Sequence, residues 1–202
     1  MKSTRTQIIE AATQTFARYG ARKTAMIDIA GAAGVSRQTL YAIFGSKDEL
    51  VVASINHVAE RNFAIVEQQL ADCSSLAEKL EVYFRESIVS SFELIEGSED
   101  LEDIVSGHSE AGRIAIANLG KQHEKLLSRL LTPHRKQIKA HGQTVKQLAR
   151  FCATCARGFK YSARNKRDLI ALIDSLKTSM LLAAGEAVIT RAEIEQPTQG
   201  SA

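Results

Sequence analysis

Residues 24–50 place three helix-start signals close together, at Thr24, Ser36 and Ser46. Each hydroxyl side chain is of the type that caps a helix N-terminus, and a glycine lies within two residues before each of the two serines. A chain with starts this close cannot build long helices between them. The spacing predicts a helix of only about two turns over residues 37–44.

The predicted two-turn helix has one apolar face and one polar face. At 100° per residue, Leu40 and Phe44 fall on the same side, whereas Arg37, Gln38 and Tyr41 lie outside it. Two short helices joined by a glycine-containing turn form a helix-turn-helix, whose second helix can enter the DNA major groove. The alternative interpretation is a small helix with a solvated face.

Apolar residues recur at helical spacing along most of the chain, and no stretch shows the alternation of a strand. Besides helices over residues 25–33 and 37–44, we predict helices over about 4–19, 46–71, 75–95, 98–105, 110–131, 143–162 and 166–189. Thr4 is the predicted cap of the first helix, and Pro133 forces a break. The sequence therefore predicts an all-α fold.

Composition favours a globular, DNA-associated chain. Of the 202 residues 45% are hydrophobic, which is enough for a core, and the first 47 carry seven Lys or Arg against two acids. The sequence has no apolar run long enough for a membrane span and no signal-peptide pattern, and its three cysteines form no secreted framework. We expect a cytoplasmic protein with no membrane partner.

The segment TAMIDIAGAAGVSRQTLYAIFGSKDEL, residues 24–50, resembles the DNA-binding signature of the TetR family of bacterial transcriptional regulators. The resemblance rests on Asp-Ile-Ala, on Gly-Val-Ser at the turn, on Thr-Leu-Tyr and on Lys-Asp-Glu-Leu. It implies a three-helix helix-turn-helix DNA-binding domain over residues 1–47. It also implies a helical effector-binding and dimerisation domain over residues 48–202, with the last two helices forming most of the dimer interface.

The resemblance also implies which residues contact DNA: Thr24, Ser36, Arg37, Gln38, Thr39, Tyr41 and Lys47. Arginine pairs bidentately with guanine and glutamine with adenine, and the helix start at Ser36 offers backbone N–H groups to a phosphate. Thr24, Thr39 and Lys47 are expected to contact phosphates. Ile43 departs from the family pattern, because it has no donor, and is expected to pack.

Two further sets of residues are predicted in the C-terminal part. Candidate lining residues of an effector pocket are Tyr83, Phe84, Phe92, Ile116, Leu119, His123 and Phe151, although core packing explains each equally well. Two amphipathic stripes predict the dimer interface: Leu148, Cys152, Cys155, Phe159, Leu169, Leu172, Ile173, Leu176, Met180, Ala183 and Ala184.

Other groups of reactive residues have plainer interpretations. Cys152 and Cys155 share a helix face, and we interpret them as packing groups rather than as a redox or metal site, since no second Cys/His pair lies nearby. Four of the five histidines, His108, His123, His134 and His141, lack ligand spacing. The basic run 156–167 is interpreted as a solvated loop, with a second nucleic-acid patch or attraction of an anionic ligand as alternatives.

These patterns lead to one functional hypothesis and one alternative. The hypothesis is a homodimeric, ligand-responsive repressor that binds a palindromic operator through residues 37–44 and is released by a small-molecule effector. The alternative is an architectural or protein-interaction DNA-binding factor of the same fold without an effector. The sequence shows no phosphate loop, nucleophile motif or zinc motif, so we predict no enzymatic activity, cofactor or metal.

Overall fold

The structure is a computed structural model that describes residues 3–96 and 109–186. Its helices are α1 (Thr4–Tyr19), α2 (Met26–Ala32), α3 (Arg37–Ile43), α4 (Lys47–Leu70), α5 (Leu76–Phe84), α6 (Ser90–Ile95), α7 (Glu110–Leu131), α8 (Arg135–Ala140), α9 (Val145–Ser162) and α10 (Lys166–Ala183). A π-helical segment, Arg85–Val89, joins α5 to α6, and a 3₁₀ turn, Thr132–His134, joins α7 to α8.

The predicted all-α fold is confirmed over the described residues, which contain no strand. The helix predicted over 98–105 and the end of the last predicted helix lie outside them. No described helix is both long enough and apolar enough to cross a bilayer.

Hydroxyl side chains start several helices as predicted. Ser36, Ser46 and Ser75 each accept a hydrogen bond from the backbone N–H three residues later. Two predicted caps were wrong. Ser3 rather than Thr4 caps α1. At α2 the capping contact comes from the Asp28 carboxylate, which accepts from the backbone N–H of Ala25 at 2.9 Å.

Buried side chains form two separate clusters. The N-terminal cluster joins α1, α2, α3 and the first turns of α4 around Ile8, Ile29, Leu40 and Leu50, all of them fully buried. The C-terminal cluster joins the end of α4 to α5, the π-helical segment, α7, α9 and α10. Helix α4 takes part in both clusters, so it is a shared element rather than a linker.

The predicted boundary between residues 47 and 48 falls at the start of α4. Beyond it, Leu50 and Val51 are buried in the N-terminal cluster, and Ile55 packs against that cluster. The N-terminal helices therefore need the first turns of α4 to complete their core. The boundary at 47/48 stays a prediction about function.

The apolar stripes predicted for the dimer interface are largely used inside the subunit. Seven of those residues are buried in the C-terminal cluster: Leu148, Cys152, Leu169, Ile173, Leu176, Met180 and Ala184. Cys155, Phe159, Leu172 and Ala183 are only half-buried. Placing the seven in the interface was wrong, because periodicity identifies the buried face of a helix but not what covers it.

A test of the fold follows from the position of Met180, which is fully buried. We expect Met180→Ala to lower the free energy of unfolding by about 2–5 kcal/mol, since the truncation leaves a cavity in the core. Ile114→Ala on α7 is the control: its side chain is exposed, and the change is expected to stay within about 0.5 kcal/mol. Urea unfolding followed by circular dichroism measures both, and equal losses would contradict this placement.

Candidate nucleic-acid interface and internal cavity

A tight turn connects α2 to α3 and fixes their relative direction. Gly34 has a φ of +63°, a left-handed conformation that side chains disfavour, and its N–H donates to the Gly31 carbonyl at 3.1 Å. The N–H of Val35 donates to the Ala30 carbonyl at 3.0 Å. These bonds satisfy carbonyls at the end of α2 and aim the next helix away from it.

Helix α3 is anchored by one face and presents the other. Leu40 is fully buried between the neighbouring helices, and Ile43 packs against the same cluster. Arg37, Gln38 and Tyr41 are exposed, Tyr41 with 47% of its surface. The exposed face therefore offers a guanidinium, an amide and a phenol side by side, the groups that read base edges and phosphates.

The start of α3 combines a cap with an exposed position. Ser36 Oγ accepts from the Thr39 N–H at 3.0 Å and lies 2.8 Å from Thr39 Oγ1. Thr39 is half-buried, and its hydroxyl lies within hydrogen-bond distance of the capping hydroxyl. The free backbone N–H groups of this first turn point along the helix axis toward solvent, where a phosphate can accept from them.

Two predicted phosphate contacts have other roles in the structure. Thr24 is buried and its hydroxyl donates to the Gly20 carbonyl at 2.8 Å, so we drop it from the candidate DNA contacts. Lys47 Nζ donates to the carbonyls of Ala21 and Thr24, at 2.9 and 3.3 Å. Lys47 thus ties the α1–α2 loop to α4 and keeps one N–H for another acceptor.

Two residues that the sequence analysis missed hold α1 against the helix-turn-helix. The Arg5 guanidinium lies 4.9 Å from the centre of the Phe44 ring, and Gln7 Nε2 donates to the Ala33 carbonyl at 2.8 Å. Both contacts join residues more than 25 positions apart. Periodicity reports only local spacing, so no sequence signal pointed to them.

A cavity of about 190 Å³, partly open to solvent, lies between the two clusters. Its walls come from α1, α4, α7, α9 and the chain around the π-helical segment and α6. The wall residues are Thr13, Phe16, Ala17, Ala21, Val51, Ser54, Ile55, Val58, Ile88, Ser91, Leu94, Ile95, Ile116, Leu119, Gly120, His123, Ala153, Arg157, Lys160 and Tyr161. The cavity therefore touches helices that carry the candidate DNA-binding unit.

Three of the seven predicted pocket residues line this cavity: Ile116, Leu119 and His123. The other four are corrected by the structure. Tyr83, Phe84 and Phe92 are buried in the C-terminal cluster, and Phe151 lies on the outer surface with 59% of its area exposed. The sequence could not separate these groups, since wall and core positions are equally apolar.

His123 is held in a neutral form beside the cavity. Tyr83 Oη lies 3.1 Å from His123 Nδ1. Burial, followed by the positive charges of Lys160 and Arg157, lowers the pKa of His123 from 6.5 to about 3. Burial also raises the pKa of Tyr83 above its usual value. A neutral phenol and a neutral imidazole therefore share this hydrogen bond, in which either Tyr83 Oη or His123 Nδ1 is the donor.

Part of the basic run 156–167 is not a solvated loop. Arg157 and Lys160 lie on α9 and line the cavity, and burial lowers the pKa of Lys160 to about 8. By contrast, Arg164 is exposed and pairs with Asp168 at 3.0 Å, as expected near a helix start. Arg157 and Lys160 of this run thus contribute to the cavity wall, whereas Arg164 lies on the solvent-exposed surface.

Cys152 and Cys155 are free thiols with raised pKa values. Cys152 is buried and Cys155 half-buried, and burial raises the pKa of Cys152 to about 12 and that of Cys155 above its usual value. Such thiols are weak nucleophiles at neutral pH, which agrees with the packing interpretation. The described residues contain no group of three metal-ligating side chains; His108 lies outside them.

Comparison with known sequences identifies the N-terminal segment. Residues 8–54 match the family model described as bacterial regulatory proteins, tetR family. Over 59 residues the chain is 44% identical to the HTH-type transcriptional regulator TtgR of Pseudomonas putida, a segment that makes up 29% of this chain and 28% of TtgR. The match thus covers less than a third of that relative's length.

Comparison with solved structures extends the fold similarity over most of the chain. A TetR-family transcriptional regulator from Cytophaga hutchinsonii superposes with a TM-score of 0.68 at 21% identity, covering 93% of this chain and 96% of that one. A TetR transcriptional regulator from Legionella pneumophila gives 0.69 at 17% identity, covering 89% and 98%. At these identities the similarity establishes the fold.

The neutral state of His123 predicts how stability depends on pH. Its folded pKa of about 3 lies below 6.5, so the unfolded chain binds the extra proton and stability falls as the pH drops below 6.5. We expect His123 to contribute a slope approaching about 1.4 kcal/mol per pH unit. Urea unfolding between pH 6.5 and 5 should show a smaller slope in His123→Gln and an unchanged one in the control His141→Gln, which alters an exposed residue. Equal slopes in all three proteins would contradict the prediction.

Proposed function

The chain belongs to the TetR family of bacterial regulators through residues 8–54, and on that premise we propose that it is a dimeric, effector-responsive transcriptional repressor. The observation that carries the proposal is the exposed face of α3, which is held out by a buried Leu40 and a glycine turn. The family consists of regulators rather than enzymes, so we assign no catalytic role. Its place of action is the cytoplasm, where operator DNA lies.

Helix α3 is the proposed reading helix. Arg37 and Gln38 enter the major groove and contact base edges, while Tyr41 approaches the edge of the groove. The start of α3 at Ser36 and Thr39 receives a phosphate. The excess of basic residues in this part of the chain adds a sequence-independent attraction that weakens with salt.

The proposed dimer uses the outer faces of α9 and α10 rather than the buried stripes. On α9, Phe151 is exposed and Cys155 and Phe159 are half-buried. On α10, Lys177 pairs with Glu81 of α5, and the opposite side is an exposed surface of small and apolar residues: Ala171, Ser175, Ser179 and Leu182. A continuous surface of this kind suits an isologous contact between two copies.

The internal cavity supports an effector-responsive regulator over an architectural factor. Its walls include Phe16 of α1 and Val51 and Ile55 of α4, all of which also belong to or pack on the core of the DNA-binding unit. A molecule in the cavity therefore contacts both parts of the chain. The effector lowers operator affinity if it binds more tightly to a conformation in which the helix-turn-helix domains of the dimer do not match the operator. The loss of operator affinity then equals the difference between the effector's binding free energies for the two conformations.

Selection of binding sites from random duplexes tests the reading helix. The wild type should recover an inverted repeat with half-sites about one helical turn apart. Arg37→Ala and Gln38→Ala should each cost about 1–3 kcal/mol on the best site and relax the preference at one base pair per half-site. The control, Arg61→Ala on α4, should recover the wild-type motif. No palindrome, or an unchanged motif in the double variant, would remove α3 from this role.

Sedimentation velocity tests the dimer surface. Phe151→Glu and Leu182→Glu should each weaken self-association roughly 100-fold or more, because a carboxylate would be buried in an apolar contact. Ile114→Glu is the matched control, since it introduces the same charge at another exposed apolar position. A wild type that is monomeric at micromolar concentration, or variants that dimerise as well as the control, would contradict the proposed surface.

A further inference from the structure

One end of the cavity carries three nitrogen-bearing side chains. Arg157 and Lys160 lie one turn apart on α9 and both line the wall, and His123 lines it from α7. The positive charges of both cations lower the pKa of His123, which lies on the same cavity wall. Gly120 makes room for the guanidinium: a Cβ there would lie 3.3 Å from Arg157 Nη1.

Among the described residues, these positive charges have no counter-charge. Of the described residues that form the cavity wall, none is an Asp or Glu. Neither Arg157 nor Lys160 has an ion-pair partner among the described residues. Lys160 is half-buried, and an unpaired ammonium in such a place is costly. The lowered pKa of Lys160 expresses the same cost. An anion at this end would offset it.

The rest of the wall is almost entirely apolar. Side chains from four segments supply it: Phe16, Ala17, Val51, Ile55, Val58, Ile88, Leu94, Ile95, Ile116 and Leu119. Ser54 adds a single buried hydroxyl without a hydrogen-bond partner in the described structure. An occupant that matches this wall has an apolar body and places one charged group at the end formed by α9.

We propose that the effector is an amphiphilic anion whose oxyanion head group binds Arg157, Lys160 and the imidazole of His123 while its apolar body lies against α1, α4 and α7. The assignment rests on the proposed function, because it names the class of molecule that the regulator senses. Arg157, exposed and part of the wall, meets the head group where the cavity opens to solvent, and Lys160 and His123 contact it further in.

The binding test uses four probes that share one eight-carbon chain and differ only in the head group: octanoate, octyl phosphate, 1-octanol and octylamine. Titration calorimetry with the full-length protein at pH 7 should rank an anionic probe above the alcohol and the amine last. The two anionic arms decide between a carboxylate and a phosphate head. Binding of the alcohol or the amine as tight as that of both anions would overturn the proposal.

Variants locate the head group. Lys160→Met keeps the approximate length of the side chain and removes the charge. Arg157→Gln removes the positive charge and leaves fewer N–H donors. Each should weaken binding of the preferred anion about 10- to 100-fold, the loss expected for a charge-assisted hydrogen bond, and leave 1-octanol unchanged. Arg150→Gln is the control, because Arg150 is exposed on the same helix and lies outside the wall. Equal affinities in all variants would place the head group elsewhere and refute the assignment.

Operator release separates this proposal from the function it rests on. Fluorescence anisotropy of the selected operator is measured with and without each probe. Operator binding that only an anionic probe releases, with loss of release in Lys160→Met, supports both. Operator binding with anion-independent or absent release overturns the effector class and leaves the DNA-binding function standing. Anion binding by calorimetry without any operator overturns the function while the charge preference of the cavity stands.

Discussion

Helix α4 is 24 residues long, about 36 Å, and it packs its first turns with the N-terminal helices and its last turns with the C-terminal ones. Both clusters therefore share one backbone hydrogen-bond ladder. In the proposed mechanism, a shift of α4 against α7 therefore also moves the helices that pack on its first turns. The cavity lies beside residues 51–58 of α4, where Val51, Ser54, Ile55 and Val58 form one wall.

Positive charge has two different settings in this chain. Around α3 it lies on exposed residues such as Arg37, where water and salt screen it and it acts at long range on a polyanion. In the cavity Lys160 is half-buried, and neither it nor Arg157 pairs with an acid among the described residues, so under the proposal the same charge acts at short range on one anionic head group. The burial of Lys160 and the apolar wall, rather than the number of cations, separate the two proposed uses.

Several polar side chains lie between the N-terminal and C-terminal clusters, on α4, α6 and the π-helical segment. Asn62 of α4 donates to Ser91 Oγ at 3.1 Å, and Ser91 donates to the Ser87 carbonyl within the π-helical segment. The nearby pair of Tyr83 and His123 adds a second buried contact. Irregular helix and buried hydrogen bonds replace plain apolar packing here, which makes the geometry of this region more specific.

Local chemistry in the sequence was enough to predict most of the described helices, several of their caps and the exposed face of α3, because caps, glycine turns and the 3.6-residue period act between residues four or fewer positions apart. Where each apolar face packs was decided only by the tertiary structure. The sequence predicted Met180 and Leu176 in the dimer interface, but both side chains lie in the subunit core. It predicted Phe151 in the effector pocket, but this side chain lies on the outer surface. Lys160 was interpreted as part of a solvated loop, but it lines the cavity. Periodicity fixes the direction of a side chain relative to its own helix, whereas its environment depends on which distant helix covers that direction.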